Sequence, residues 1–124
     1  MADLLGSMAI ASSGMTAQAQ RLRHISENIA NVDTPGYRRK MITFRQELEG
    51  VKTGKTLLDR RETAKHFNPS HPLADDRGYF QGSNVDLVLE MADAREAQRS
   101  YEANLKIFEQ SRQMVQSLFD LLRR

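Results

Sequence analysis

Apolar side chains recur at alternating steps of four and three residues over both ends of the chain. Near the start, the repeat consists of Leu4, Met8, Ala11, Met15, Leu22, Ile25 and Ile29, with the polar Gln18 among them. Near the end, it consists of Leu87, Met91, Ala94, Tyr101, Leu105, Phe108, Val115, Phe119 and Leu122, with Gln98 and Arg112 as the polar positions. This spacing is typical of helices that pack along other helices. The pattern therefore predicts two long helices joined by an irregular segment.

The residues around each repeat predict where the helices begin and end. The first helix is expected from about Ala2 to Ala30, and Gly6 and Gly14 weaken its first half because glycine costs about 1 kcal/mol against alanine inside a helix. We therefore expect this half to be disordered until a partner covers it. The second helix is expected to begin after a cap at Ser83, Asn84 or Asp86 and to run to the C-terminus without Pro or Gly.

Turn residues punctuate the segment between the helices. Asn31 to Gly36 is expected to end the first helix, because Pro35 moves Thr34 out of the helical region and Gly36 supplies a positive φ. Tyr37 to Phe44 is then predicted as a short strand or extended arm.

Further along this segment, several local structures are expected. Phe44 to Leu48 is an alternative helical turn, and Thr53-Gly54 is predicted as a hairpin turn. Arg60 to Lys65 is expected to be solvated, and the prolines are expected to keep Asn68 to Pro72 extended. Tyr79-Phe80 is predicted as a second short strand.

Together these patterns predict a mainly α fold. Long N- and C-terminal helices are expected to pair as a coiled-coil-like hairpin with a small irregular or β middle. The division is 1–33 for the N-terminal helix, 34–83 for the middle segment and 84–124 for the C-terminal helix. Because two helices leave most of each apolar stripe exposed, we expect the large members of both repeats to be subunit-interface residues.

Composition limits the classes of function. The 124 residues carry 18 basic and 16 acidic side chains, so the net charge is only +2 and does not by itself indicate a nucleic-acid partner. Cysteine is absent, which excludes disulfides and thiolate metal sites. No apolar stretch reaches the roughly 18 residues of a membrane helix, and residues 1–15 lack the pattern of a secretory signal peptide.

The sequence contains few candidate residues for catalysis, metal binding or nucleic-acid binding. The basic run Arg38, Arg39 and Lys40 has little aromatic interleaving, so it is interpreted as a solvated face and not a nucleic-acid site. His24, His66 and His71 do not share the spacing of a metal site. Asp75-Asp76 has no sequence-local base or nucleophile and is interpreted as a turn. The sequence therefore predicts no catalytic residue, no cofactor and no small-molecule substrate.

The residues at the end of the first helix carry a resemblance to a known family. Ser26 to Asn31 followed by Thr34 to Arg38 resembles the N-terminal signature of the rod and hook axial proteins of the bacterial flagellum. The turn residues of this motif are Asn28, Asn31, Thr34, Pro35, Gly36 and Tyr37. Further matches resemble a proximal-rod subunit of that family: Tyr37 to Met41, His71-Pro72, Ala74-Asp75, Gly78-Tyr79, Asn84 to Asp86, Glu90-Met91 and Arg99 to Asn104.

The resemblance implies a structural subunit of the flagellar basal-body rod, the tubular drive shaft needed for motility. It implies assembly with copies of itself and other rod proteins, contact with the export apparatus and membrane-ring components, and a periplasmic location reached by type III export without a cleaved signal peptide. A different rod subunit is the first alternative. A soluble helical adaptor or nucleic-acid-binding module is the second.

Overall fold

The computed structural model describes residues 2–124 and contains two long helices and two small antiparallel sheets. Helix α1 spans Ala2–Ala30 and helix α2 spans Leu87–Leu122. Strands β1 (Lys40–Glu47) and β2 (Gly50–Leu58) form one sheet, and strands β3 (Lys65–Phe67) and β4 (Tyr79–Gln81) form the other. The predicted fold class of two terminal helices with a small β middle is confirmed.

The helix ends follow from local chemistry. Helix α1 ends at Ala30, before the predicted stop, and Gly36 has a φ of 75°. Of the three candidate caps, Asp86 caps α2: its Oδ1 accepts a hydrogen bond of 3.0 Å from the Val88 backbone N–H. The 36 residues of α2 make a rod of about 54 Å, at 1.5 Å per residue.

The hairpin turn lies earlier than the sequence predicted. The β1–β2 connection falls at Leu48 and Glu49, and Thr53-Gly54 lies inside β2. The pairing register shifts between Ile42 and Phe44, and the backbone of Gly54 approaches the Thr43 side chain so closely that a Cβ atom would clash. Gly54 therefore permits a bulge in the ladder instead of a turn, and Phe44 to Leu48 forms strand and turn instead of a helical turn.

The second sheet agrees only in part with expectation. Strand β4 contains the predicted Tyr79-Phe80, but Asn68 to Pro72 forms turns because Asn68 accepts backbone hydrogen bonds from Ser70 (3.2 Å) and His71 (3.0 Å). The stretch from Arg60 to Lys65 is not uniformly solvated either, since Thr63 is buried and donates a hydrogen bond to the Gln81 side chain.

The apolar core of the subunit is small. Within residues 2–124, its buried apolar members are Ala11, Ala17, Ile25, Ala97 and Val115. The sheet of β1 and β2 packs against α1, where the Ser13 hydroxyl accepts a hydrogen bond of 3.0 Å from the Val51 backbone N–H. Three of the five core members are alanine. Folding of one subunit therefore buries little of the surface of its large apolar side chains.

Candidate assembly surface and the polar junction beside it

The two helices contact each other mainly through small side chains. Ala11 and Ala17 are buried on α1, and Ala97 and Ser111 are buried on α2. At Gly14 the helices lie so close that an added Cβ atom would lie 2.7 Å from the Asn104 Nδ2 atom. Small inner faces let the helix axes approach closely, and most large apolar side chains point elsewhere.

The structure places the residues that the sequence predicted as interface at three depths. Buried within the subunit are Ile25 and Val115. Half-buried are Leu4, Met8, Met15, Leu22, Ile29 and Phe108. Exposed are Leu87, Met91, Tyr101, Leu105, Phe119 and Leu122.

The buried stripe of α2 is offset by one residue from part of the predicted repeat. Glu90, Ala97 and Ser111 are buried at intervals of seven residues or a multiple of seven. The residues that directly follow them are exposed: Met91, Gln98 and Arg112. Sequence reasoning missed this stripe because none of its members is a large apolar residue. The shared interval of seven was the available signal.

Helix α2 therefore exposes large apolar side chains along most of its length. Beside the exposed interface candidates, these are Val88, Leu89, Ile107, Met114, Leu118 and Leu121. Val88 is 75% exposed and Leu121 is 64% exposed. Leu4, Met114, Leu118 and Leu121 also line a cleft of about 520 Å³ between the start of α1 and the end of α2. Exposed apolar surface of this extent is typical of protein contact sites.

A cluster of polar side chains joins the other end of the hairpin to the middle segment. This polar junction consists of Asn28, Tyr37, Arg39, Asp59, Asn84 and Glu90. Asn28 and Glu90 are both 0% exposed. Such deeply buried polar groups are stable only when their hydrogen-bonding capacity is used.

Asn28 ties three segments together with its amide. Its Oδ1 accepts hydrogen bonds from the Tyr37 hydroxyl (2.9 Å) and the Lys40 backbone N–H (2.8 Å). Its Nδ2 donates to the Lys40 carbonyl (3.0 Å) and to Glu90 Oε2 (3.4 Å). The side chain thus fixes β1 and α2 to the last turn of α1.

Arg39 forms the charged centre of the polar junction. Its Nε donates to Glu90 Oε1 at 2.6 Å, and its other nitrogens lie 3.6 Å from Asp59 Oδ2 and 3.5 Å from Asp93 Oδ2. The Arg38 guanidinium donates to the carbonyls of Asp59 and Arg61. The basic run is therefore structural and only partly solvated, which corrects the interpretation from sequence.

Asn84 completes the attachment of the middle segment. Its Oδ1 accepts from the Arg39 backbone N–H at 2.7 Å, and its Nδ2 donates to the Asp59 carbonyl at 2.9 Å. The residues just before α2 and the strand ends of the hairpin are thereby held in one arrangement. The direction of the middle segment relative to the helices follows from this arrangement.

Ion pairs perturb the titration of groups around the polar junction. The hydrogen bond from the Arg61 side chain holds the pKa of the Asp59 carboxyl below its usual range. The hydrogen bond from Lys40 likewise lowers the pKa of Glu27, and it raises the pKa of Lys40. Burial raises the pKa of the Tyr37 phenol.

The turn after α1 uses the motif residues as helix-stop chemistry. Asn31 Nδ2 donates to the Glu27 carbonyl at 2.8 Å, and the Thr34 hydroxyl donates to Asn31 Oδ1 at 3.0 Å. The Gly36 N–H reaches the Gln81 carbonyl at 3.1 Å, so the turn also contacts the second sheet. The structure thus brings the motif residues together beside the polar junction.

Over residues 2–124, no group of three or more His, Cys, Asp or Glu side chains is arranged to hold a metal ion. In the same range, no helix is long and apolar enough to cross a membrane. His24 contacts Thr56 at 3.0 Å, far from His66 and His71 in the sequence, and His71 stacks on the Phe80 ring.

Comparisons with known proteins agree with this arrangement. The family model described as "Flagella basal body rod protein" matches residues 8–38, which contain most of α1 and the turn motif. The model "Flagellar basal body rod FlgEFG protein C-terminal" matches residues 76–121, which contain nearly all of α2. The flagellar basal-body rod protein FlgC of Agrobacterium fabrum is 45% identical to this chain over 99% of the chain and 98% of its own length.

The chain belongs to the FlgC family of flagellar basal-body rod proteins. FlgC of Yersinia enterocolitica is 34% identical over 91% of this chain and 93% of its own length. FlgC of Borreliella burgdorferi is 32% identical over 96% and 97%. The predicted family and the predicted role as a structural rod subunit are confirmed, and a helical adaptor or nucleic-acid-binding module is not favoured. Membership in the FlgC family supports a location in the flagellar basal body.

Proposed function

We propose that this chain assembles through the apolar faces of its terminal helices into the proximal rod, with copies of itself and with other rod proteins. The observation that carries the proposal is the exposure of large apolar side chains along α2, including Phe119 at 50% and Leu122 at 75%. A subunit contact that does not close on itself generates a helix, so such faces suit a tubular drive shaft.

The polar junction supports a division of labour within the subunit. We propose that 1–33 and 84–124 form the axial core, and that 34–83 faces outward or along the axis against adjacent subunits. Asn28 and Asn84 fix the middle segment to both helices, so its orientation is set before assembly. Within the described residues 2–124, neither the axial core nor the middle segment contains a metal site. A structural role without enzymatic activity is the proposal that follows from family membership.

The proposal also includes the export route of the subunit and its position in the basal body. We infer that the subunit passes through the flagellar type III export apparatus without a cleaved signal peptide and reaches a periplasmic position beside the membrane-ring components. An α1 weakened by Gly6 and Gly14 favours passage as an extended chain, because its ordering is then offset by interface burial on docking.

Leu105→Asp combined with Phe119→Asp tests the assembly surface. Both side chains are exposed in the free subunit, so the fold is expected to persist while desolvation of the new charges blocks packing. We expect loss of swimming in a strain that depends on this chain, with unchanged far-UV circular dichroism of the purified variant. The matched control Gln98→Asp with Gln116→Asp places the same charges at exposed polar positions of α2 that do not line the cleft between α1 and α2. Normal swimming by the first variant would contradict the proposal.

A further inference from the structure

A cleft beside the turn after α1 combines aromatic walls with one carboxylate. The Asp33 cleft has a volume of about 340 Å³ and is lined by Val32, Asp33, His66, Phe67, Asn68, Phe80 and Gly82. Phe67 is 63% exposed, and His71 stacks on the Phe80 ring at 3.9 Å between centroids. The aromatic side chains are therefore held in place while the Phe67 ring stays accessible.

The Asp33 carboxylate forms no salt bridge with a cation in the described part of the chain. None of the salt bridges within residues 2–124 includes Asp33, although most other carboxylates near the polar junction are paired. A carboxylate next to aromatic rings is the combination that binds a guanidinium, through charge and through the π face. The cleft thus has the chemistry of an arginine receptor.

Helix α2 presents arginines that lack a partner. Arg95 and Arg99 are exposed and line a second, separate cleft of about 530 Å³ with Val88, Met91, Ala92 and Glu96. We call this surface the arginine face. No salt bridge within the described chain involves Arg95 or Arg99, whereas the neighbouring Glu96 is paired with Arg21 at 3.5 Å. Two guanidinium groups beside exposed apolar side chains are thus available to another molecule.

The two surfaces lie at the same end of the hairpin. The hydrogen bond from Asn28 to Glu90 joins the last turn of α1 to the first turn of α2, and Asp33 follows α1 by three residues. They share no lining residue. A contact between two different surfaces at one level joins copies side by side, and its repetition gives a ring or an open helix.

We propose that, in the rod described under the proposed function, the Asp33 cleft of one copy receives Arg95 or Arg99 of a second copy beside it. The contact rests on charge complementarity between a carboxylate and guanidinium groups that form no salt bridge within residues 2–124. The aromatic walls and the apolar part of the arginine face exclude water around it. This lateral contact adds to the packing of the apolar helix faces.

Site-specific cross-linking in assembled rods tests this contact. The chain has no cysteine, so Lys65→Cys beside the cleft and Ala92→Cys on the arginine face create two unique thiols. A short bis-maleimide is added to cells whose motility depends on the doubly substituted chain. We expect covalent dimers and higher multimers of this chain. The control pair Lys65→Cys with Gln116→Cys, at the far end of α2, is expected to give none.

Charge-reversal variants then test whether the cross-link depends on the ion pair or only on the proximity of the two surfaces. Asp33→Arg, or Arg95→Asp with Arg99→Asp, is expected to lower the cross-linked fraction by roughly threefold to tenfold, and the combination of both reversals is expected to restore it. Asp76→Arg, at an exposed carboxylate elsewhere in the middle segment, is expected to change nothing.

Two results would overturn the inference while leaving the rod function intact. One is a swimming strain in which the Lys65→Cys and Ala92→Cys pair gives no multimer, or gives a product with a different rod protein. The other is cross-linking that Asp33→Arg does not reduce. Failure of the proposed function has a different signature, namely a strain that swims with the whole chain deleted.

Discussion

At the scale of single residues, the free subunit depends on a few buried polar groups. Asn28 uses both atoms of its amide, and Glu90 has Arg39 at 2.6 Å and Asn28 at 3.4 Å. A buried ion pair adds little stability over apolar packing, but loss of one partner leaves an uncompensated charge. The value of these residues is that they fix one register between the helices and the middle segment.

Glu90→Ala is expected to lower the free energy of unfolding by about 3 kcal/mol, at the lower end for a broken buried pair because Arg39 keeps Asp59 and Asp93 as neighbours. Urea unfolding followed by circular dichroism measures the change. Glu102→Ala, at an exposed position of the same helix, serves as the control and is expected to stay within about 0.5 kcal/mol of the parent. Equal stability of the two variants would contradict the role of the polar junction.

Asp59 is expected to make stability depend on pH in the acid range. Its pKa in the folded state lies below the ordinary value of 3.8, so between the two values the unfolded chain binds more protons than the folded one. Stability from this group is therefore complete above the unfolded pKa and is lost as pH falls through the folded pKa. Glu27, whose pKa is also lowered, acts in the same direction.

The measurement is urea unfolding of the parent chain and Asp59→Asn at several pH values from neutral to about pH 2. The variant is expected to be less stable at neutral pH and to lose less stability on acidification, so the two curves converge. Parallel curves would show that Asp59 is not coupled to folding. Arg61→Ala is a second check, because it removes the first cause of the lowered pKa and is expected to give the same convergence.

At the scale of elements, the sequence predicted the long helices and missed the finer strand chemistry. The end of α1 and the Asp86 cap follow from strong local signals, namely Pro35 and a side-chain oxygen before the helix. Thr53-Gly54 carries the composition of a turn, but its glycine serves a bulge set by contact with Thr43 across the sheet. The conformational propensity of a residue carries no information about a contact of this kind with a residue on another strand.

The packing between α1 and α2 was likewise predicted only in part from the sequence. The predicted repeat located the apolar stripes of α1 and α2, and hence the fold class. Yet the stripe of α2 that faces its partner helix includes Glu90, Ala97 and Ser111, because close helix approach selects small residues and the polar junction selects a carboxylate. The basic run gave no sign that Arg39 is paired, since Glu90 lies far along the chain.

Gly6 and Gly14 provide a matched pair for the helix contact. Gly6→Ala is expected to stabilise α1 by about 1 kcal/mol, because no atom lies within 4 Å of the new methyl group. Gly14→Ala carries the same helix-propensity gain but places its methyl 2.7 Å from Asn104 Nδ2, so the Asn104 side chain must move.

Thermal unfolding of the chain at concentrations where it has associated and gained helix, measured by circular dichroism, distinguishes the two variants. Gly6→Ala is expected to raise the melting temperature, and Gly14→Ala is expected to show a smaller gain or a loss. Gly14→Ala combined with Asn104→Ala removes the clash and is expected to recover the gain. Identical increases for both single variants would mean that the helices are not in close contact at Gly14.

At the scale of the whole molecule, a hairpin with this little core is expected to be completed by its neighbours. The buried apolar side chains within residues 2–124 comprise three alanines, Ile25 and Val115, while the two helices span 29 and 36 residues. Burial of apolar surface is the main term that offsets chain entropy. Most of that burial is therefore expected on assembly into the rod, where the exposed face of α2 meets other subunits.

The most direct test is far-UV circular dichroism combined with analytical sedimentation on the purified chain, across a range of concentrations and salt. Completion of the core by other subunits predicts a monomer that is folded around the polar junction but has frayed helix ends, and that gains further helix on association with itself or with other rod proteins. A compact, fully helical monomer that melts cooperatively at all concentrations would contradict this, because the two helices would then satisfy each other without the rod.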